Sequence, residues 1–140
     1  MKKLLLVIAA LMILGGCSTK FSTIDPESGA RTAYIAQKKD LMDDTELMMM
    51  RIFPGRELTR IDRGRVFGFS TWTRFVLDTY TQQALFFAVK GKNAAGEEVD
   101  AWALEVSGEG SSGSGKNKNI KFWEELKAFL DRKYPVARVN

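Results

Sequence analysis

The chain has 140 residues, a formal net charge of +4 and a hydrophobic fraction of 45%, which suits one domain with a core and is too little for two ordinary domains. It contains no histidine and a single cysteine, Cys17, and the lack of histidine excludes histidine-based acid–base catalysis, the usual serine triad and histidine metal sites. The small net charge argues against nucleic acid as the main partner, because nucleic-acid-binding proteins usually carry a strongly basic face.

The first predicted element is a targeting segment at the N-terminus. Met1-Lys2-Lys3 precedes an apolar run from Leu4 to Leu14, and Gly15-Gly16 separates this run from Cys17. A positive start, a short apolar run and small residues at the cut are typical of a secretory signal peptide. The run is about half of the roughly 20 residues that a membrane-spanning helix needs, so we expect a cleaved signal rather than a transmembrane helix.

The stretch Leu14-Gly15-Gly16-Cys17 resembles the lipobox of bacterial lipoproteins. The resemblance implies that the chain is cut after Gly16, that Cys17 is lipidated on sulfur and that the new N-terminus is acylated. It also implies sorting by the next residue, and Ser18 looks like the residue of a lipoprotein directed to the outer membrane, facing the periplasm. We therefore expect the membrane to be a partner through lipid on Cys17, which leaves no thiol for a disulfide, a nucleophile or a metal.

The remaining chain is expected to begin with a spacer. Residues 1–16 are predicted to be the signal peptide, residues 17–32 a flexible tether rich in small and polar residues, and residues 33–140 a single globular domain. Within the domain, the segment from Tyr34 to Phe53 is compatible with a short helix or with a buried strand, since periodicity does not separate these for a short apolar run. Pro54-Gly55 then predicts a turn.

Three strands are predicted in the middle of the chain. Apolar and threonine side chains alternate between Arg65 and Thr79, which favours a strand over a helix capped by Ser70. Gln83–Lys90 and Glu97–Val106 flank the polar loop 91–96 and indicate an antiparallel hairpin. The second strand of this hairpin is apolar on both faces, so we expect it to be central.

The C-terminal part predicts a connector and a helix. Gly108–Gly115 is glycine and serine with one glutamate, which is typical of a flexible connector. Asn117 or Asn119 is the expected cap of a helix that continues to about Tyr134. Its apolar stripe consists of Ile120, Trp123, Leu126, Phe129 and Leu130. The predicted fold is α+β, with a small antiparallel sheet of three to four strands and this helix packed on one face.

Three motifs suggest chemistry, and each has a simpler interpretation. Gly110–Lys116 has the glycine-to-lysine spacing of a phosphate-binding loop, but Asn117 stands where a magnesium-binding Ser or Thr belongs, so we interpret it as a linker. The methionines 42 and 48–50 could suggest copper(I), but we expect them to fill the core. Acidic residues cluster near positions 40–46 and 97–100, where capping and hairpin-tip positions explain them better than paired catalytic carboxylates do.

An arginine-rich stretch extends from Arg51 to Arg74. Arginine pairs with phosphate and carboxylate in a two-pronged geometry, and solvated charge is the preferred interpretation of such a run. The candidate anion contacts are Arg56, Arg60, Arg63 and Arg65.

The sequence as a whole predicts a lipid-anchored envelope protein that is not an enzyme. It would bind or support another envelope component, with no catalytic residue, no cofactor and no metal. The alternatives are a small envelope hydrolase that uses paired carboxylates, and a binder of anionic envelope polymer through the Arg51–Arg74 stretch. An exposed aromatic patch would favour the first hypothesis, a cleft with two facing carboxylates the second, and arginines converging on one face the third.

Overall fold

The computed structural model describes residues 19–23, 32–75, 78–110 and 113–139 of the chain. These ranges form seven strands and two helices. In chain order they are β1 Thr19–Ser22, β2 Thr32–Tyr34, α1 Lys38–Ile52, β3 Thr59–Asp62, β4 Val66–Phe75, β5 Asp78–Lys92, β6 Glu98–Gly110, α2 Gly113–Lys133 and β7 Val136–Ala137.

All the strand pairs are antiparallel and belong to one sheet. The strands lie in the order β3-β4-β5-β6-β2-β7, and β1 also pairs with β6. β6 pairs with β5 along its whole length, and its other edge is shared by β2, opposite residues 102–104, and β1, opposite residues 107–110. β6 is therefore the central strand, as its two apolar faces predict.

The predicted fold, with three to four strands and one helix, is wrong. The sheet has seven strands, and two helices accompany it. Four of the strands are only two to four residues long, and segments of this length carry no readable alternation because a period of two needs more residues to appear. These short strands become visible only when the long strands offer them an edge to pair with.

The segment expected to be a tether also contains sheet. β1 lies inside residues 17–32 and pairs with residues 107–110 of β6, and β2 starts at the last residue of that segment. The predicted signal peptide, residues 1–16, and the candidate lipidation site Cys17 lie outside the described residues.

The two helices decide between helix and strand for the segment after Tyr34, and they move the predicted start of the C-terminal helix. The ambiguous segment after Tyr34 is the helix α1, which ends just before the buried Phe53 and the turn at Pro54-Gly55. α2 begins at Gly113, inside the predicted connector, so Asn119 is a fully buried residue within the helix rather than its cap.

The main core lies between the helices and one face of the sheet. Met42, Met48 and Met49 of α1 belong to it, which confirms their interpretation as core residues; the same interpretation is wrong for Met50, which is 57% exposed because it lies on the outer side of α1. The buried face of α2 consists of Asn119, Phe122, Leu126 and Leu130; Phe122 was missing from the predicted stripe, and Ile120, Trp123 and Phe129 are only partly buried. Neither α1 nor α2, within the described residues, is long and apolar enough to cross a membrane.

Candidate functional site

The second face of the sheet consists of strand residues and is largely apolar. Cross-strand partners point to the same face, and one row of partners runs from Val66 through Phe87, Ala103 and Ala33 to Ala137, across five strands. We call the apolar part of this surface the open face. It is made of Ala33, Ile61, Val66, Leu85, Phe87, Val89, Val99, Ala101, Ala103 and Ala137.

The centre of the open face consists of small side chains. Ala33, Ala101, Ala103 and Ala137 are all at most 3% exposed, and among the described residues they pack with Ile35, Val89, Val99 and Val139. No residue of α1 or α2 belongs to this cluster. Larger neighbours cover these alanines, so a partner would meet the partly exposed Ile35, Val89, Val99 and Val139 around them.

Towards β1 the same side of the sheet becomes polar. A shallow cleft of about 250 Å³ is lined by Phe21, Ser22, Thr81, Gln83, Ser107, Gly108 and Glu109. Trp72 pairs with Thr81 and therefore lies on this side, where its side chain is 56% exposed. An exposed tryptophan is unusual, because this side chain has the largest apolar area of any residue to hide from water.

The structure does not bring the four candidate arginines together. Arg56 donates from Nη1 to the carbonyl oxygen of Trp72 at 3.3 Å, whereas Arg63 and Arg65 lie around the turn between β3 and β4. Trp72 is seven residues along β4 from Arg65, which corresponds to about 23 Å. Arg60 is exposed on β3, between these groups. Anion binding by all four stays a prediction, and the geometry supports at most separate contacts.

The acidic clusters are engaged with separate partners. Asp43 pairs with Lys39 at 2.6 Å, and Asp100 pairs with Lys90 at 2.5 Å. Glu97 accepts a hydrogen bond from Nδ2 of Asn93 at 3.0 Å. No two of these contacts join one carboxylate to another, and the described residues contain no group of three or more acidic or metal-binding side chains suited to a metal ion.

The fourth acid of interest, Asp44, joins α1 to the end of α2. Its carboxylate accepts hydrogen bonds from Nζ of Lys133 at 3.0 Å and from Oη of Tyr134 at 2.5 Å. Burial, followed by the Asp44 carboxylate, raises the pKa of Tyr134 to about 12. This arrangement stabilises the packing of the two helices, and Tyr134 also lines a cleft of about 480 Å³ with Asp40, Asp100 and Trp102.

The phosphate-loop spacing lies in the wrong structural setting. The strand that precedes it, β6, is antiparallel to every neighbour, whereas a phosphate-binding loop follows a strand of a parallel sheet. The sequence Gly110–Lys116 contributes its first residue to β6 and its last four to α2, so little of it remains as a loop.

Sequence reasoning missed one polar cluster in the core. Tyr80, Gln82 and Asn119 are fully buried. The side chain of Asn119 interacts with that of Tyr80, whereas the side-chain amide of Gln82 has no hydrogen-bond partner within the described residues. Gly108 leaves the space for them, because a Cβ there would lie 2.1 Å from Nδ2 of Asn119 and 2.8 Å from Cε1 of Tyr80. Asn119 lies three residues before Phe122 on the buried face of α2. This helical spacing is the feature of the sequence from which the burial of Asn119 could have been predicted.

Comparison with known proteins adds no assignment. No model of a protein family matches the chain, and a search of curated proteins found no match.

Proposed function

We propose that the chain is a lipid-anchored protein of the bacterial envelope that binds another envelope protein through its open face and catalyses no reaction. The observation that carries the proposal is the open face itself, which is apolar across five strands and contacts neither of the described helices. The larger side chains of this face are partly exposed, namely Ile61, Val66, Leu85, Phe87, Val89 and Val99. Apolar side chains that reach water as a group mark interaction sites, because their contact with water is unfavourable.

The size and the borders of the open face indicate the chemistry of the partner. Three long strands over five to six residues, with the three-residue β2 and the two-residue β7 beside them, give roughly 300–350 Å² at strand and residue spacings of about 4.8 and 3.3 Å, which is the lower end of the scale of a functional patch. Arg63 and Arg65 are exposed at the β3–β4 turn, Lys90 pairs with Asp100 on the opposite face, and Glu105 lies beside Leu85 on the open face. A complementary partner therefore presents a mainly apolar surface, with a polar or positive group opposite Glu105.

The lipid anchor is the second part of the proposal, and it is supported by the lipobox at residues 14–17. Each buried methylene contributes about 0.8 kcal/mol and stable anchoring takes more than one chain. Three acyl chains on Cys17 would hold the protein at the membrane without help from the domain.

The two alternative functions have less support. Asp40 and Asp100, one acid from each candidate cluster, both line a cleft of about 480 Å³. A carboxylate hydrolase needs two acids that face each other, and Asp100 is engaged by Lys90 at 2.5 Å, so the interface keeps the stronger support. A polymer-binding site needs converging cations, and Arg56 lies far from Arg63 and Arg65.

Site-specific cross-linking tests the proposed interface. A photoreactive residue at Leu85, on the open face, should cross-link one dominant envelope protein in intact cells, while the same residue at the exposed Glu124 of α2 should not. Val89→Glu, which adds a carboxylate to the open face, should reduce the Leu85 cross-link about tenfold, equivalent to about 1.4 kcal/mol.

The controls separate binding from folding. Circular dichroism should show that the Val89→Glu variant retains the sheet and both helices. Equal cross-linking from positions 85 and 124, or a Leu85 cross-link that the Val89→Glu change leaves intact, would contradict the proposed interface.

A further inference from the structure

Beside the apolar residues of the open face, the same side of the sheet carries a row of small polar side chains. Ser70 of β4 pairs with Gln83 of β5, Gln83 pairs with Ser107 of β6, and Ser107 pairs with Ser22 of β1. Cross-strand partners point to the same face, so the row crosses four strands, a distance of roughly 14 Å. Its hydroxyls and its amide contain both donors and acceptors of hydrogen bonds.

The neighbouring row places an aromatic side chain beside these polar groups. Trp72 pairs with Thr81, and Thr81 pairs with Glu109. Gln83 is a diagonal neighbour of Trp72 on the adjacent strand, and diagonal neighbours lie about 7–8 Å apart, within reach of an aromatic side chain. We call Trp72, Thr81, Gln83, Ser107 and Glu109 the polar platform.

The polar platform contains a shallow cleft. Its members Thr81, Gln83, Ser107 and Glu109 line the cleft of about 250 Å³ described above. Ligand pockets for drug-sized molecules have about 300–1,000 Å³, so this cleft suits one ring of a longer molecule that continues along the surface. The hydroxyl of Thr81 donates to the backbone oxygen of Glu109 at 3.2 Å, and its oxygen can still accept a hydrogen bond from a ligand.

Trp72 stands beside this cleft with a fixed backbone and an exposed side chain. Its carbonyl oxygen accepts a hydrogen bond from Nη1 of Arg56 at 3.3 Å, and the hydroxyl of Thr71 donates to the carbonyl oxygen of Glu57 at 2.8 Å. These two contacts hold β4 against the segment before β3, while Trp72 is 56% exposed. A side chain presented from a fixed backbone loses little freedom when it binds a ligand.

The charges around the polar platform balance one another. Among the residues whose side chains the structure describes, the strands carry two carboxylates on this side, Glu105 and Glu109. The register adds two cationic residues nearby, Lys20 opposite Glu109 and Arg74 two residues after Trp72. Because neither sign dominates, electrostatic complementarity favours an uncharged ligand here.

A sugar ring matches this combination of groups. One face of a pyranose carries mainly C–H groups, which the negative face of an aromatic ring attracts, and the hydroxyls at its edge both donate and accept hydrogen bonds. An apolar partner would cover the polar row without offering hydrogen bonds, which is unfavourable. An anionic partner would meet the carboxylates of Glu105 and Glu109.

We propose that the polar platform binds one pyranose ring of an uncharged glycan, with the ring stacked on Trp72 and its hydroxyl groups hydrogen-bonded to Thr81 and Gln83. The inference goes beyond the proposed function, because it adds a second ligand beside the open face. It does not depend on the lipid on Cys17. One side of the sheet thus holds a glycan at its polar part and a protein partner at its apolar part.

Calorimetric titration with two uncharged tetrasaccharides tests the glycan site. The sample is the full protein purified from membranes in detergent. Cellotetraose offers hydroxyls alone, whereas chitotetraose carries an acetamide on each ring, so tighter binding of chitotetraose would identify an N-acetylated amino sugar as the ligand. We expect Trp72→Ala to weaken binding about tenfold or more, and Gln83→Ala to weaken it about fivefold through the lost hydrogen bond.

Two further variants separate stacking from folding. Trp72→Phe keeps an aromatic ring and should retain most of the affinity that Trp72→Ala removes. Leu47→Ala shortens an exposed side chain of α1, away from the platform, and should leave binding unchanged. Circular dichroism should show the same sheet and helix content in all the variants, because Trp72 and Leu47 are exposed.

The outcomes distinguish the glycan site from the protein interface. No binding of either tetrasaccharide, or binding that Trp72→Ala leaves intact, would overturn the glycan site. Binding of the anionic polymer polygalacturonate alone, lost at high salt, would overturn it in favour of a contact driven by charge. Loss of the Leu85 cross-link while tetrasaccharide binding persists would overturn the protein interface alone.

Discussion

Gly68 allows β4 and β5 to pair closely in the middle of the sheet. Its φ is +153°, and a Cβ at this position would lie 1.9 Å from the backbone oxygen of Ala84. Because the obstacle is backbone, a small side-chain movement does not relieve it. The residue is therefore required to be glycine for a reason that depends on the neighbouring strand.

Gly68→Ala should lower the free energy of unfolding by about 3 kcal/mol or more, as expected of a backbone clash in a packed region. Urea denaturation measures this loss. Gly96→Ala is the matched control, because Gly96 also has a positive φ, of +80°, but nothing within 4 Å of its Cβ position; its cost should be about 1–2 kcal/mol. Equal losses for the two variants would contradict the steric explanation.

The raised pKa values of two tyrosines predict that the free energy of unfolding falls at alkaline pH. Tyr34 donates from Oη to Oδ1 of Asp131 at 2.8 Å, and burial, followed by this carboxylate, raises its pKa. The pKa of Tyr134 rises from 10.0 to about 12 for the same reasons. A raised pKa in the folded state means that the folded protein resists deprotonation, so the stabilisation is complete below pH 10 and is lost as the pH rises further.

We expect the free energy of unfolding to fall between about pH 10 and pH 12, with phenolate absorbance appearing as the protein unfolds. The double variant Tyr34→Phe, Tyr134→Phe should show a shallower fall, because Tyr80 is then the one tyrosine left and the rest of the fall comes from lysines with raised pKa, such as Lys133. An unchanged slope in the double variant would show that these two tyrosines do not control the alkaline stability.

At the scale of elements, Asp44 connects α1 with the end of α2. Asp44→Ala should destabilise the protein by about 1.5–3 kcal/mol, because two hydrogen bonds to a charged and nearly buried carboxylate are lost. Asp43→Ala is the matched control: this exposed neighbour pairs only within α1, with Lys39, and its loss should cost about 0.5 kcal/mol or less. Thermal unfolding of the two variants compares them directly, and similar shifts would argue against the link between helices.

The buried polar cluster of Tyr80, Gln82 and Asn119 predicts that replacing a polar side chain by an apolar one does not lower the stability. The side-chain amide of Gln82 is fully buried and has no partner among the described residues, so Gln82→Met should be neutral or stabilising by about 1 kcal/mol. Gln83→Met, on the other face, is the control and should change little. A loss of more than about 1 kcal/mol for Gln82→Met would instead indicate that the amide is satisfied by a bound water.

Long elements with a clear periodicity were predicted correctly, and short or irregular ones were not. The strand interpretation of the segment after Arg65 is correct for β4, where Phe67, Phe69 and Thr71 are buried on one side. The predicted hairpin is confirmed as β5 and β6. The same reasoning did not find the reversal after Phe75, because the apolar alternation continues through the turn into Leu77, a residue outside the described ranges.

At the scale of the whole molecule, the anchor makes the sharpest prediction. Cys17→Ser should abolish labelling by radioactive palmitate and leave an uncleaved or mislocalised precursor, which cell fractionation detects. Ser18→Asp is the control that should keep the label and move the protein to the inner-membrane fraction. Labelling that persists in the Cys17→Ser variant would refute the lipid anchor.

The sequence alone determined the properties that depend on residue type and local order. The absence of histidine, the single cysteine, the lipobox-like start and the long alternating strands are all readable without coordinates. The buried stripe of α2 was predicted only in part. Phe122 is buried although it was not predicted to be, because the packing of the helix against the sheet decides which side of the helix is covered.

Only the tertiary structure decided how distant segments meet. It placed β1, β2 and β7 beside long strands, left the four arginines at separate places, and brought Thr19 into register with Gly110, Tyr80 and Thr73. The physical reason is that short strands and surface charges have weak local preferences, so their positions follow from pairing and packing with residues far away in the chain. The open face arises from that pairing.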